Sequence, residues 1–145
     1  MAASDLQPGV YEGGFKLWEG SDDLIRCLQQ HHVERLKEAQ VLELGCGHGL
    51  PSIYAAKKGA KEVHLQDYNI EVIEQLTMPN VDANLSTFPD CSVRYFAGDW
   101  RSLPQALPAP RKYDIILTAE TGELVCLPFV QISTTVRSMY LLGGV

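Results

Sequence analysis

The nine residues Val41-Leu42-Glu43-Leu44-Gly45-Cys46-Gly47-His48-Gly49 constrain the fold more than any other stretch of the chain. Four residues of strand character stop at a glycine turn, which opens into a helix at Leu50-Pro51, where proline suits the first helical turn. Residues without side chains let a ligand lie against the backbone, and a helix start offers unpaired N–H groups. The spacing is Gly-x-Gly-x-Gly. A dinucleotide fingerprint would set its third glycine at position 50, where Leu50 stands. The pattern points to a nucleoside ligand without a pyrophosphate.

The rest of the chain alternates strands and helices. Ser21 is placed to cap a helix with Asp22 and Asp23 in its first turn, and Leu24, Ile25, Leu28 and Leu36 give it an apolar stripe. Residues 41–44 form the first strand, and the helix from Pro51 ends at Gly59. A second strand, 62–66, closes at Asp67. Residues 70–76 are helical, with the helix resuming after Pro79 toward Asn84. The third strand, 92–97, ends at Gly98-Asp99-Trp100. After a loop with Pro104, Pro108 and Pro110 comes a fourth strand, 113–118. This order implies a parallel sheet with right-handed crossovers, in which ligands bind beyond the carboxyl ends of the strands where strand order reverses. Three such ends carry the polar residues: 45–49, 67–69 and 98–100. Beyond them, 124–130 is apolar enough for a strand or a buried helix, and no strand is expected after Gly143-Gly144. The fourth strand then becomes an exposed edge unless the tail covers it.

Bulk properties narrow the function. At 145 residues the chain is one domain on length, and its net charge of −6 argues against a nucleic-acid binder. No apolar run approaches the ~20 residues of a membrane helix. Residues 1–10 lack the basic and apolar parts of a secretory signal. Cys27, Cys46, Cys91 and Cys126 form no C-x-x-C pair and read as reduced thiols of a cytosolic or nuclear protein. His31, His32, His48 and His64 share no ligand spacing, so no metal site is expected.

Asp67 follows Gly45 by about 22 residues, near the distance at which a carboxylate meets a ribose and repels a 2′-phosphate. Asp99 can accept the exocyclic amine of adenine, and the Trp100 indole can cover its ring. Together with the glycine spacing, these residues make S-adenosyl-L-methionine (SAM) the leading cofactor.

Several segments carry a resemblance. They are Gly9-Val10-Tyr11-Glu12-Gly13-Gly14-Phe15-Lys16-Leu17-Trp18-Glu19, the run from Leu42 to Leu50, Gln66-Asp67-Tyr68-Asn69, Pro79-Asn80-Val81, Gly98-Asp99-Trp100 and Tyr113-Asp114-Ile115-Ile116-Leu117-Thr118-Ala119-Glu120-Thr121. Across residues 9 to 121 the chain resembles class I SAM-dependent methyltransferases. More closely, it resembles the eukaryotic protein-histidine N-methyltransferases of the methyltransferase-like protein 18 type. The resemblance implies a three-layer Rossmann-like α/β sheet with helices on both faces, here lacking the last strands. It divides the chain into a lid segment (1–20), a SAM-binding core (21–121) and a divergent tail (122–145). Leu17, Trp18, Glu19, Gly20 and Ser21 would line the methionine end of the cofactor. The backbone of Gly45 and Gly47 would approach it. Gln66, Asp67 and Tyr68 would take the ribose and the adenine edge; Gly98, Asp99 and Trp100 would take the adenine, and Ala119 would close the far side. The implied substrate is a histidine of a large-subunit ribosomal protein. Glu120 and Glu19 are the candidate catalytic carboxylates, steadying the imidazole. A monomer without membrane or direct nucleic-acid contact, cytoplasmic and nuclear, is expected.

After Thr121 the resemblance stops, at Gly122-Glu123-Leu124-Val125-Cys126, which points to a truncated form without most of the peptide-binding half. Two alternatives are an inactive SAM-fold fragment acting as a binding module and a protein-lysine methyltransferase. An NAD-dependent oxidoreductase is disfavoured by the glycine spacing.

Overall fold

A computed structural model describes residues 15, 17, 19–99, 102–107, 113–119 and 139–142. The first helical segment is α1 (Glu19–Cys27), running through a π turn (Leu28–His32) into α2 (Val33–Leu36). Strand β1 (Gln40–Leu44) leads to α3 (Leu50–Lys57) and β2 (Glu62–Asp67). Then follow α4 (Ile70–Val72), a second π turn (Ile73–Thr77), α5 (Met78–Asp82) and a short 3-10 turn (Leu85–Thr87). The remainder is β3 (Ser92–Ala97), α6 (Leu103–Ala106), β4 (Ile115–Ala119) and β5 (Met139–Leu142).

All four strand pairings are parallel, in the order β3-β2-β1-β4-β5. Strand order therefore reverses between β1 and β4, beside the glycine turn. Burial follows from position: β1 and β2 are covered on both faces after their first residue, whereas edge strand β3 alternates. One face carries Val41, Val63, Leu65, Ile115 and Leu117, packed against Leu24, Leu28 and Leu36 and against Ile53, Ala55, Ile73 and Val81. The other face carries Leu42, Leu44 and Ile116, covered by Leu103 of α6 and by Tyr113. The sheet is thus a middle layer between helices, as expected.

Three local expectations change. The first helix starts at Glu19, so Ser21 lies inside its first turn rather than capping it. Helical structure passes through Pro79 without a break; the preceding π turn widens the backbone where proline offers no N–H. The edge of β4 is not left bare, because Met139–Leu142 lies along it with Ile116 beside Met139 and Ala119 beside Leu142. Tyr113 sits just ahead of β4, and Asp114 ties the starts of β4 and β1. Its Oδ2 accepts from the Gln40 N–H at 2.8 Å, and its N–H donates to the Gln40 carbonyl at 2.9 Å.

Candidate functional site

The carboxyl ends of β1, β2 and β3 meet at one end of the sheet. At β1, Gly45, Gly47 and Gly49 take φ of 62°, 49° and 73°, so three of five residues occupy the left-handed region. Gly49 is also short of space: a Cβ there would lie 2.9 Å from Leu65 Cδ2 and 3.3 Å from Thr77 Cγ2. As the N-cap of α3 it has no side chain to offer the helix. The buried Glu43 supplies an acceptor from β1 instead, with Oε2 taking the Ser52 N–H at 3.0 Å and the Ser52 hydroxyl at 2.5 Å. Burial pushes the Glu43 carboxyl up to about 8, against the pull of the two Ser52 donors. Burial likewise raises the Cys46 thiol, which leaves it protonated and no nucleophile.

The glycine turn is held from outside itself. Gly47 donates its N–H to Asp67 Oδ2 at 2.9 Å, and Asn69 donates to Asp67 Oδ1 at 3.3 Å. Thr77, at the end of the second π turn, donates its hydroxyl to the Gly47 carbonyl at 2.6 Å. Asn80 donates its amide to the His48 carbonyl at 3.0 Å. Gln66 bridges two turns: its Oε1 accepts from the Gly45 N–H at 3.2 Å and its Nε2 donates to the Gly98 carbonyl at 2.8 Å.

At β3, Gly98 takes φ of 125°, and the Ser102 N–H and hydroxyl both donate to the Asp99 carbonyl, at 2.9 and 2.7 Å. A cavity of about 210 Å³ lies alongside, lined by Gln66, Phe96, Gly98, Asp99, Ser102 and Leu103 among others. These walls offer bare backbone, the carboxylate of Asp99 as an acceptor and an apolar floor, which is the chemistry a nucleoside requires.

Of the residues singled out from sequence, Gly45, Gly47, Gln66, Asp67, Gly98 and Asp99 come together here, with Tyr68 half-buried beside Asp67. Leu17 and Glu19 are exposed, Gly20 is buried and Ser21 half-buried, at the start of α1. Ala119 ends β4. Trp18, Trp100 and Glu120 lie outside the described residues. Sequence reasoning gave Gln66 a ligand contact, whereas both ends of its buried amide reach backbone. It assigned no role to Glu43, Ser52, Thr77 or Asn80, although Glu43 and Asn80 fall within the quoted Leu42–Leu50 and Pro79-Asn80-Val81 runs.

His64 is not part of this site. It is fully buried on the face of Leu42 and Leu44, with Nδ1 2.7 Å from the Tyr113 hydroxyl and Nε2 2.9 Å from Glu62 Oε1. A carboxylate only accepts, so Nε2–H donates to Glu62 and the Tyr113 O–H donates to Nδ1. Burial holds the ring neutral by lowering its pKa to about 4. Among the described residues no group of three or more His, Cys, Asp or Glu side chains is arranged to hold a metal.

The strand order, the left-handed turn at its reversal and the carboxylate on the neighbouring strand define a class I methyltransferase sheet. Solved structures agree. Protein arginine methyltransferase 10 of Arabidopsis thaliana superposes with a TM-score of 0.52 at 22% identity, covering 67% of this chain and 25% of that one. A PRMT1 enzyme–prozyme complex of Trypanosoma brucei, solved with S-adenosylhomocysteine, gives 0.50 at 25% identity, covering 66% and 27%. Residues 7–122 match the family described as lysine methyltransferase, and the chain belongs to that family. Similar curated proteins are the histidine protein methyltransferase 1 homologs of Dictyostelium discoideum and Bos taurus. The first is 50% identical over 118 residues, covering 81% of this chain and 37% of that protein. The second is 42% identical over 144 residues, covering 81% and 38%. The chain thus spans less than two-fifths of the length of these relatives. The cofactor that goes with this family is SAM.

Proposed function

We propose that the chain carries the cofactor-binding part of a SAM-dependent protein-histidine N-methyltransferase whose substrate is a histidine of a large-subunit ribosomal protein. The observation that carries this reading is the meeting of the Gly45–Gly49 turn, Asp67 and the Gly98–Asp99 turn at the reversal of strand order. The names of the relatives support the histidine target.

When bound, SAM supplies a methyl group already activated by its sulfonium. The chain's own residues then have two tasks. The glycine turn and the Asp67 carboxylate, which stands beside it on the neighbouring strand, bind and orient the nucleoside. A carboxylate must also accept from one ring N–H of the substrate imidazole, leaving the other nitrogen's lone pair free. A histidine of ordinary pKa, near ~6.5, is neutral at cellular pH. Glu120 and Glu19, the latter in the first turn of α1, are the two candidates for that part. The same reading sets the protein in cytoplasm and nucleus as a monomer.

The test is SAM titration by calorimetry, followed by transfer of a labelled methyl group to large-subunit ribosomal proteins and amino-acid analysis of the product. Methylhistidine supports the reading. SAM binding without transfer leaves a binding module. Methyllysine favours the second reading, which the family description itself supports. Glu120→Gln is expected to slow transfer about 10²-fold or more while leaving SAM affinity nearly unchanged. An equal loss of both refutes the role.

A further inference from the structure

We infer that Gln66 is a positioning residue that fixes the turn after β1 and the turn after β3 at one separation, so that a ligand lying between them meets both in place. The inference rests on the SAM reading for the ligand, though not for the bracket itself. Two features carry it. First, the partners are of opposite kind. The Gly45 N–H needs an acceptor and the Gly98 carbonyl needs a donor, at 3.2 and 2.8 Å. Among side chains of this length only an amide provides both at one end; a carboxylate lacks the donor and a leucine lacks both. Second, the bridge spans elements 21 and 32 residues apart in sequence, and it is a single side chain that meets both glycine turns, at Gly45 and at Gly98, whose φ are 62° and 125°. The amide is almost fully buried, at 1% exposure, so water does not replace it cheaply.

The bracket also explains the identity of the residue at this point of β2. Gln66 pairs in register with Leu44 and Phe96, between two apolar side chains where a Val or Leu would pack without polar cost. Asp67, one residue on, faces the other way and holds Gly47. Consecutive residues of one strand therefore hold the first and third residues of the glycine turn from opposite faces. Both also reach the turn after β3, Asp67 through its backbone carbonyl to the Gly98 N–H at 3.0 Å and Gln66 through its side chain to the Gly98 carbonyl.

Two substitutions test this, each measured in the full chain for folding stability, SAM affinity and amide exchange. Gln66→Leu is expected to expose the Gly45 N–H, raising its exchange rate at least tenfold. The Cys46 N–H, which donates to the Gln66 backbone carbonyl at 2.8 Å, should stay protected. SAM affinity is expected to fall about tenfold or more, the equivalent of one or two lost hydrogen bonds. In Gln66→Glu the ionised carboxylate faces the Gly98 carbonyl and repels it. Protonated, it regains one donor and one acceptor. Affinity should therefore be weak at pH 8 and recover several-fold toward pH 5.5, relative to the wild-type chain over the same range. That normalisation is needed because ionisable groups surround the position: Glu62 and Arg94 on the same face, Asp67 next along the strand and Asp99 in the facing turn; His64 stays neutral over this range, and the facing β1 residue, Leu44, has no charge. A purely structural role would lower stability in both variants without acid recovery of affinity. Unchanged exchange at Gly45 in Gln66→Leu, or no recovery in Gln66→Glu, overturns the inference. If the wild-type chain itself ignores SAM, the cofactor reading fails, and the exchange measurement still decides whether the bracket exists.

Discussion

Gly49 shows how narrow the choice at one position can be. Its φ of 73° disfavours any side chain, and a Cβ would press on Leu65 and Thr77 at 2.9 and 3.3 Å. Gly49→Ala is expected to cost on the order of 1–3 kcal/mol, read as a lower urea midpoint at unchanged slope. Glycine content made this turn legible in the sequence, because the pattern Gly-x-Gly-x-Gly after a strand has few other uses. The partners of the turn were not legible. Gln66, Thr77 and Asn80 reach it from 21, 30 and 32 residues away, and a polar residue in a strand or helix carries no mark of which backbone group it meets. Asp67 was placed correctly beside the glycine turn, yet its hold on the Gly47 N–H follows only once β1 and β2 are paired.

At the scale of elements, the helical run from Ile70 to Asp82 does two jobs. Ile73 and Val81 bury against the sheet, while Thr77 and Asn80 hold the glycine turn. The π turn rotates Thr77 onto the Gly47 carbonyl, and the same hydroxyl lies 3.3 Å from the Val72 carbonyl. Thr77→Val keeps the shape and removes the donor. It should lower stability by about 1–3 kcal/mol and weaken SAM binding in the same variant, since the Gly47 carbonyl is left short of a partner. Leu24→Ala in α1, fully buried against the sheet, should cost about 2–5 kcal/mol without touching the turn. Together the two variants separate loss of packing from loss of the site. β1 and β4 were legible from the apolar runs that central parallel strands favour, and β2 and β3 from short stretches ending at a polar turn, although β4 starts at Ile115 rather than at 113. The continuous passage through Pro79 was not, because proline normally marks a break. Strand β5 escaped notice because Met139-Tyr140-Leu141-Leu142 carries no alternation.

At the scale of the whole molecule, two buried ionisable groups among the described residues, His64 and Glu43, make stability depend on pH between about 4 and 8. His64 is held down at about 4 from an ordinary 6.5, so the unfolded chain takes up a proton below 6.5 that the folded chain refuses until about 4. That part of the stability is present above pH 6.5 and is lost as pH falls through this window. Glu43 is held up at about 8 from an ordinary 4.5, so the folded chain keeps a proton that the unfolded chain has lost. Its contribution declines as pH rises from 4.5 to 8. The two slopes oppose each other between 4.5 and 6.5, and only the Glu43 slope remains from 6.5 to 8. Chemical denaturation at pH 5, 6.5 and 8 should show little change over the first interval. A loss on the order of 2 kcal/mol should follow over the second. Glu43→Gln, which is neutral throughout, should gain about that much on the wild-type chain between pH 6.5 and 8.

The order of the strands bears on how such a chain is made. β1 finds one neighbour at Glu62–Asp67 but its other only at Ile115–Ala119. On a ribosome adding roughly 5–20 residues per second, about 50 more residues must emerge first, a wait of about 2–10 s. Throughout that wait the most apolar strand of the nascent chain shows a naked flank, which a chaperone has time to find before the rest of the polypeptide does.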